Sequence, residues 1–377
     1  MRPFPYVILA ACLGAAACDP EEPGPKACPE TPGVICPFAG TGHPGFNGDG
    51  KDLLESTLYW PTDLTFTSTG LYLLDWNNHK VRRVTEDGTF ETVIGTDFVG
   101  DGDPVQGDLV KPGVPGTTID LNHPTQIVER PDKTLILVSW HNHKLRIFDP
   151  ATGLVYVWCG RGAGYQGDEG PIEQALLNQP AAVRYDAEGR LYIVDQRNQR
   201  IRRVDTDGTI HTVVGTGTAG FGGDTGSPLE AQVSFPPGSN PPPNGMLDFD
   251  DDGRLYFADT LNDRIRRVDF EAGTIDTVLG DGSATTLDNP RDVEQGPDGR
   301  IYVADEGNHR IVAIDPATLA VEVIAGTGQR GDSGDFGPAK TAQLARPTGI
   351  AFDANGDLYI ADNQNQRVRL VRMGADR

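Results

Sequence analysis

Short apolar segments separated by glycine-rich turns fill most of the chain from about residue 34 onward. Residues 347–353 and 358–361 are two such segments, and the pair Asn355 and Gly356 lies between them. Apolar segments of this length, rich in β-branched residues, predict β-strands, and an Asn-Gly pair predicts a tight hairpin turn. Residues 367–371 predict a third strand, and in other parts of the chain a fourth follows, as at residues 209–215. The pattern therefore predicts an all-β chain of short antiparallel strands.

A short phrase recurs six times between the second and third predicted strands. It consists of Asp, two variable residues, Asn, one variable residue and then Arg or Lys, and one copy has Ser in place of Asp. The copies begin at Asp75, Ser139, Asp195, Asp259, Asp305 and Asp362, at intervals of 46 to 64 residues. Four antiparallel strands repeated six times predict a six-bladed β-propeller with four-stranded blades.

The two ends of the repeat region predict how the ring closes. The sixth repeat stops after its third strand, whereas residues 34–42 form an unassigned segment similar to the fourth strand at residues 323–328. We therefore expect an N-terminal strand to complete the last blade, and the propeller to occupy residues 34–377. Pro37 suits an outer strand, where a missing N–H group is tolerated.

These repeats resemble those of the NHL-repeat family, which is named for a triplet similar to Asn-His-Leu. The matching residues include Asn78, His79, Lys80 and Val81 in one copy and Asn308, His309, Arg310 and Ile311 in another. The loop at residues 40–50 reads Gly-Thr-Gly-x-x-Gly-Phe-x-Gly-Asp-Gly, and it resembles the inter-blade loops of a bacterial, exported lipoprotein type. The resemblance implies the propeller fold but no single activity, because this fold supports binding scaffolds, lyases and hydrolases.

The N-terminal segment predicts export. Arg2 precedes an apolar run that is too short to span a membrane and that ends in three Ala residues before Cys18. We expect a signal peptide at residues 1–17, a lipidated Cys18, and a Pro- and Glu-rich tether over residues 18–33. Two alternatives remain, an ordinary cleaved signal with a free Cys18 and a lipidation site at Cys12.

Charge and cysteine content narrow the possible partners. The formal net charge of −22 disfavours nucleic acid as a partner and would attract cations, basic peptides or divalent metal ions. In an oxidising compartment Cys28 and Cys36 could form a disulfide across a short loop. Cys159 would remain unpaired, inside a strand.

One face of the predicted propeller carries most of the candidate binding residues. In a propeller, the turns between second and third strands lie on the same face as the loops that join the blades. Six of the seven His residues fall on this face, and the phrase beginning at Ser139 also contains an aromatic residue. The candidate ligand-binding residues are Trp76, His79, His123, Trp140, His141, His143 and His309.

Metal binding is a second hypothesis for this face. His123, His141 and His143 lie within one predicted blade, and neutral imidazole is a common zinc ligand. The Gly-Asp loops offer a calcium alternative, with candidate ligands Asp49, Asp168, Asp224 and Asp332. The alternative interpretation of these loops is tight chain reversal, and the repeated Asp of each phrase is better explained as a turn residue that accepts backbone N–H groups.

The favoured hypothesis is an exported, monomeric propeller that binds a protein, peptide or glycan through the face carrying the inter-blade loops. A lipid anchor would be its only link to the membrane, on the periplasmic face or at the cell surface. The alternative is a metal-dependent hydrolase or lyase, using Ca or Zn, with its site at the mouth of the central channel. A structural role in the cell envelope is a third hypothesis. No complete catalytic motif appears in the sequence.

Overall fold

The computed structural model of the protein describes residues 27–238 and 243–374. Their strands form six antiparallel sheets, one for each copy of the phrase, so the predicted six-bladed β-propeller is confirmed. Each sheet runs from an inner strand to an outer one, and its strands pair in chain order except at the outer edge of three sheets, where strands from earlier in the chain are added. The predicted signal peptide at residues 1–17 and the lipidation site Cys18 lie outside the described residues.

The strands are numbered along the chain, and the first strand, β1 (Val34–Ala39), precedes the first blade. Blade 1 contains β2 (Pro61–Thr67), β3 (Gly70–Asp75), β4 (Lys80–Val84) and β5 (Phe90–Ile94). Blade 2 contains β6 (Val114–Pro115), β7 (Pro124–Glu129), β8 (Leu135–Ser139), β9 (Lys144–Asp149) and β10 (Leu154–Cys159). Blade 3 contains β11 (Gly170–Pro171), β12 (Pro180–Tyr185), β13 (Leu191–Asp195), β14 (Arg200–Val204) and β15 (Thr209–Val214).

Blade 4 contains β16 (Leu247–Phe249), β17 (Leu255–Asp259), β18 (Arg264–Asp269) and β19 (Thr274–Leu279). Blade 5 contains β20 (Pro290–Gln295), β21 (Ile301–Asp305), β22 (Arg310–Ile314) and β23 (Val321–Ala325). Blade 6 contains β24 (Gly337–Pro338), β25 (Pro347–Phe352), β26 (Leu358–Asp362) and β27 (Arg367–Val371). The two-residue strands β6, β11 and β24 add a fifth, outermost strand to three sheets, a detail that the sequence did not predict.

Short 3₁₀ turns occupy two recurring positions outside the strands. One set contains the phrase itself and joins the second strand of a blade to the third: Trp76–Asn78, Trp140–Asn142, Gln196–Asn198, Thr260–Asn262 and Asn363–Asn365. The other set lies in the loops between blades: Leu53–Glu55, Gly107–Leu109, Gly116–Thr118, Ile172–Gln174, Pro228–Glu230 and Ala339–Thr341. Within the described ranges, no helix has the length and apolar character needed to cross a bilayer.

The hydrophobic core lies between adjacent blades. Tyr302 and Ile311 of blade 5, for example, belong to the same buried cluster as Ile35, Ile360 and other residues of blade 6. Each blade therefore packs against the faces of its two neighbours, and no blade buries its apolar faces alone. This explains why the alternating pattern extends over all six repeats.

A glycine directly after the fourth strand is required by the geometry of the phrase. Gly215 follows β15 with a φ of +96°, and a Cβ at this position would overlap the carbonyl oxygen of Gln199 in the turn beside it. Only glycine combines this backbone conformation with such a close approach. The repeated Gly-Thr-Gly of the inter-blade loops therefore has a local structural cause.

The ring closes as predicted, because β1 pairs with β27 and completes blade 6. Cys36 lies opposite Leu370 in this ladder, and the N–H of Gly33 donates to the carbonyl of Arg372 at 2.7 Å. Cys28 and Cys36 form a disulfide, which links the chain before β1 to the middle of that strand. The strand that closes the ring is therefore held by both hydrogen bonds and a covalent bond.

Candidate functional site

The Asp of the phrase is a buried structural residue. In blade 3, Asp195 accepts the N–H of Asn178 at 2.7 Å, the Asn198 side chain at 2.8 Å and a guanidinium N–H of Arg202 at 3.2 Å. Desolvation raises the pKa of Asp195 to about 6, although these donors favour its ionised form. The carboxylate thus joins the phrase, the third strand and the preceding inter-blade loop.

Blade 2 compensates differently for its missing Asp. Ser139 is buried, and the guanidinium of Arg146 lies 3.2 Å from Asp101 and 3.5 Å from Asp108. Asn142 accepts from Arg146 at 3.4 Å and from the N–H of Asn122 at 3.3 Å. Loop carboxylates and an amide thus replace the single carboxylate of the other blades.

The residue after the Asn of each phrase connects its blade to the next one. In blade 1, His79 has a left-handed backbone, and its Nδ1 accepts the N–H of His123, which directly precedes the inner strand β7. Each of the six blades makes such a contact, which we call the inter-blade latch. The six donor–acceptor pairs are His123–His79, Gln179–His143, Phe235–Gln199, Asn289–Asp263, Arg346–His309 and Trp60–Gln366.

The latch changes the interpretation of two candidate residues, and burial changes that of a third. Nδ1 of His143 accepts the N–H of Gln179 at 3.0 Å, and Nδ1 of His309 accepts the N–H of Arg346 at 3.2 Å. Both imidazoles therefore have the structural role that Gln or Asp has in other blades. Trp140 is fully buried and donates to Gln196, so it belongs to the core and not to the ligand-contacting surface that was expected.

The remaining candidates come together on the inter-blade loop face, at the junction of blades 1 and 2. We call Trp60, Trp76, His79, His123 and His141 the aromatic cluster. The ring centroids of Trp76 and His123 lie 4.0 Å apart, with the ring planes inclined by 30°, and the ring of Trp60 lies 6.0 Å from that of Trp76. Trp60 is 36% exposed and was not predicted from the sequence. It is held by the latch between blades 6 and 1, in which its N–H donates to Gln366 at 2.7 Å.

Hydrogen bonds within the aromatic cluster determine where its protons lie. His123 Nε2 lies 3.2 Å from Asn77 Oδ1, which can only accept, so Nε2 carries the proton. His123 Nδ1 then accepts from His141 Nδ1, 2.7 Å away. Desolvation, followed by the neighbouring imidazoles, lowers the pKa of His123 to about 3. The centre of the cluster is therefore neutral near pH 7.

The metal hypotheses find little support in this geometry. His143 lies in its own latch, apart from the contact between His123 and His141. Across residues 27–238 and 243–374, no group of three or more His, Cys, Asp or Glu side chains is arranged to hold a metal ion.

The Gly-Asp loops are bound to the propeller itself. Asp168 and Asp224 pair with buried guanidinium groups of the third strands at 2.5 and 2.7 Å, and Asp49 accepts from Thr92 at 3.0 Å. In blade 6 the equivalent residue is Asp335, 2.5 Å from Arg369, and not the expected Asp332. Asp49, Asp168 and Asp224, three of the four calcium candidates, thus bind groups of the neighbouring strands.

Comparisons with known proteins agree with the repeat and the fold. The family model described as "NHL repeat" matches residues 287–314 and 344–369. Teneurin-4 of Homo sapiens is 29% identical over 249 residues, which cover 59% of this chain and 8% of that protein. NHL repeat-containing protein 2 of Gallus gallus is 25% identical over 194 residues, which cover 48% of this chain and 26% of that protein. The chain therefore spans only a small part of the length of these relatives.

A solved structure extends the comparison over most of the chain. An auxiliary nutrient binding protein from Bacteroides thetaiotaomicron superposes with a TM-score of 0.61, covering 89% of this chain and 75% of that chain at 17% identity. At this identity the likeness concerns the fold alone. Together with the six phrases, their latches and the family match, it shows a six-bladed β-propeller that contains NHL repeats at residues 287–314 and 344–369.

Proposed function

We propose that this protein is a binding scaffold and that its ligand binds to the aromatic cluster on the inter-blade loop face. The observation that carries the proposal is the exposed ring of Trp60 next to Trp76 and the neutral His123. An exposed aromatic ring on a rigid support offers a large apolar contact area at a small entropic cost. The latches supply that support, because they fix the backbone on both sides of the cluster.

The chemistry of the cluster favours a neutral glycan over a charged peptide. Trp60 and Trp76 offer ring faces, on which the C–H face of a sugar ring can pack while its hydroxyl groups form hydrogen bonds. Trp76 Nε1 is a buried donor for which the described part of the chain supplies no acceptor. A ligand hydroxyl could supply that acceptor. The nutrient-binding name of a protein with the same fold supports a binding role of this kind.

Export and anchoring complete the proposal. The apolar run before Cys18 and the Pro- and Glu-rich segment after it support a lipidated protein held at the periplasmic membrane face or the cell surface. Replacing Cys18 by Ala should abolish labelling by a fatty-acid analogue and move the protein from the membrane fraction to the soluble fraction. Labelling that persists in Cys18→Ala would rule out this anchor and point to Cys12.

Tryptophan fluorescence offers a direct test of glycan binding, because Trp60, Trp76 and Trp140 of the four tryptophans lie in or beside the proposed site. The protein would be titrated with a panel of neutral oligosaccharides and, separately, with an aromatic peptide. We expect Trp60→Ala to weaken glycan binding at least about tenfold, or about 1.4 kcal/mol.

A matched control is Phe98→Ala, because Phe98 is 73% exposed in an inter-blade loop but lies outside the aromatic cluster. This variant should bind as the native protein does. Equal glycan affinity in Trp60→Ala and the native protein would contradict the proposed site. Binding of the peptide without binding of any glycan would support a binding scaffold but contradict the glycan as its ligand.

A further inference from the structure

A second candidate site lies in the central channel, away from the aromatic cluster. Its residues come from the inner strands, and its centre is Arg184 of β12. The guanidinium of Arg184 contacts both carboxylate oxygens of Asp248 on β16, at 2.6 and 2.8 Å, and Glu294 of β20 at 2.8 Å. Three blades thus meet in one charged network.

Two more carboxylates border the same cavity of about 250 Å³. Asp292 of β20 accepts the backbone N–H groups of Ile350 at 2.7 Å and of Val293 at 2.8 Å. Asp63 of β2 is 4% exposed. Its Oδ2 is buried, and no donor from the described strands and loops lies within hydrogen-bonding distance of it. Gln126 of β7 is a further residue of the lining.

The charges in this cavity do not balance. Three lining carboxylates, those of Asp63, Asp292 and Glu294, face one lining guanidinium, that of Arg184, which is also bound to Asp248. A buried carboxylate without a charge partner or a donor is unfavourable, so such a group either takes up a proton or is matched by a cation. Asp63 Oδ2, which is buried and has no donor within reach, is the acceptor to which such a proton or cation would bind.

We propose that the channel cavity binds a small organic cation with N–H donors, a primary ammonium or a guanidinium group, with Asp63 and Asp292 as its acceptors. The volume of the cavity suits a ligand of a few heavy atoms. Arg184 already shows that the carboxylates of this channel accept charged N–H donors at normal distances. This site is independent of the proposed glycan site on the inter-blade loop face.

The geometry favours an N–H cation over a bare metal ion. Asp248 and Glu294 are engaged by Arg184, and Asp292 by two backbone groups. Throughout the described ranges, no set of three ligating side chains converges closely enough to hold a metal ion. An ammonium group needs only acceptors at hydrogen-bonding distance, which the two carboxylates can provide.

Protonation of the channel makes the binding pH-dependent. Desolvation raises the pKa of Glu294 to about 8, against the lowering effect of Arg184. Desolvation also raises the pKa of Asp292 to about 6, against the lowering effects of its two backbone donors and of Arg184. Burial, with Asp292 next, raises the pKa of Asp63 well above its usual range. Arg184 and Asp248 also act on these carboxylates, and Arg291, which pairs with Glu306, interacts electrostatically with Asp292. Protons must therefore leave the carboxylates when a cation binds, and affinity should rise with pH from about 6 to about 8.

Isothermal titration calorimetry with n-butylammonium chloride tests the proposal, with calcium chloride as a separate arm. Titrations at pH 6 and pH 8, in buffers that differ in ionisation enthalpy, measure both affinity and proton release. We expect binding of n-butylammonium at both pH values, at least about tenfold tighter at pH 8, with protons released. A third titration uses lysine with both backbone termini blocked. Affinity equal to that of n-butylammonium would show that the site admits a lysine side chain of a peptide, whereas weaker binding would show that it admits only a small free amine.

The variant Asp63→Asn keeps the shape of the side chain and should weaken binding at least about tenfold. Asp251→Asn removes the same charge from an exposed position and should bind as the native protein does. Melting temperatures of both variants show whether a loss of binding reflects a loss of fold. Absence of n-butylammonium binding, equal binding by Asp63→Asn, or binding of calcium without the amine would each overturn the proposal. None of these results depends on the glycan titrations.

Discussion

Replacing Asp195 by Ala tests whether the phrase is a structural device. Asp195 and the side chain of Arg202 are both fully buried, and the variant leaves that guanidinium with Asp168, 2.5 Å away, as its remaining carboxylate. Removing one partner of a buried ion pair costs about 3–5 kcal/mol. Because Asp168 still neutralises the guanidinium of Arg202, we expect a loss near the lower end of this range. Asn178 and Asn198 also lose their acceptor, at about 1 kcal/mol each. We therefore expect the free energy of unfolding to fall by about 4 to 5 kcal/mol.

The same substitution in blade 5 provides the comparison. Arg310, the partner of Asp305, has a side chain that is 25% exposed, so water can solvate it after the carboxylate is removed. Asp305→Ala should cost about half as much as Asp195→Ala. Urea denaturation would measure both, with Asp251→Ala as a surface control expected to change stability by less than about 0.5 kcal/mol. Equal losses at Asp195 and Asp305, or a loss at Asp195 as small as that of the control, would refute the reasoning.

Two further predictions concern the latch and the channel. His79→Ala removes one latch acceptor and should lower the free energy of unfolding by about 1 kcal/mol. His79→Gln should lose much less, because Gln199 and Gln366 accept the same bond in other blades. Equal stability of the two variants in urea denaturation would argue against the latch. The pKa of Glu294 rises from 4.5 to about 8 on folding, so its contribution is fully present below pH 4.5 and is lost as pH rises through about 8. The melting temperature of Glu294→Gln relative to the native protein should therefore increase between pH 5 and pH 9, and a constant difference would show that Glu294 does not titrate in this range.

The sequence was sufficient to predict the fold because the fold is repeated. Strand alternation, the turn glycines and the phrase each recur in several repeats. An unclear pattern in one repeat therefore did not prevent the prediction of the fold. The closing strand followed from the same repetition, since the sixth repeat lacked a fourth strand and residues 34–42 resembled one. The two-residue outer strands were not predicted, because two residues are too few to show an alternation of apolar and polar positions.

The candidate site was harder to predict, because it depends on contacts between repeats. His143 and His309 were chosen for their side-chain type, but their positions are occupied by Gln or Asp in other blades. These different side chains all place an acceptor atom at the same position in the latch. That shared role cannot be seen from residue types alone. Trp60 was missed because its position beside Trp76 depends on a hydrogen bond from its own N–H to Gln366, at the other end of the chain.

The channel network was missed for a related reason. Its charged residues lie on four inner strands that are far apart in the sequence, and each strand alone contains only one or two of them. Recognising the network would have required placing all six inner strands around one axis.

The disulfide between Cys28 and Cys36 has a mechanical consequence for the propeller. A pull on the chain before Cys28 would pass through the sulfur atoms to Cys36, the third residue of β1, and would leave residues 29–35 slack. The tension would thus enter in the interior of the closing strand, where backbone hydrogen bonds to β27 flank it on both sides. Rupture would then have to break bonds on both sides together, whereas without the disulfide the strand could peel from Val34 one bond at a time.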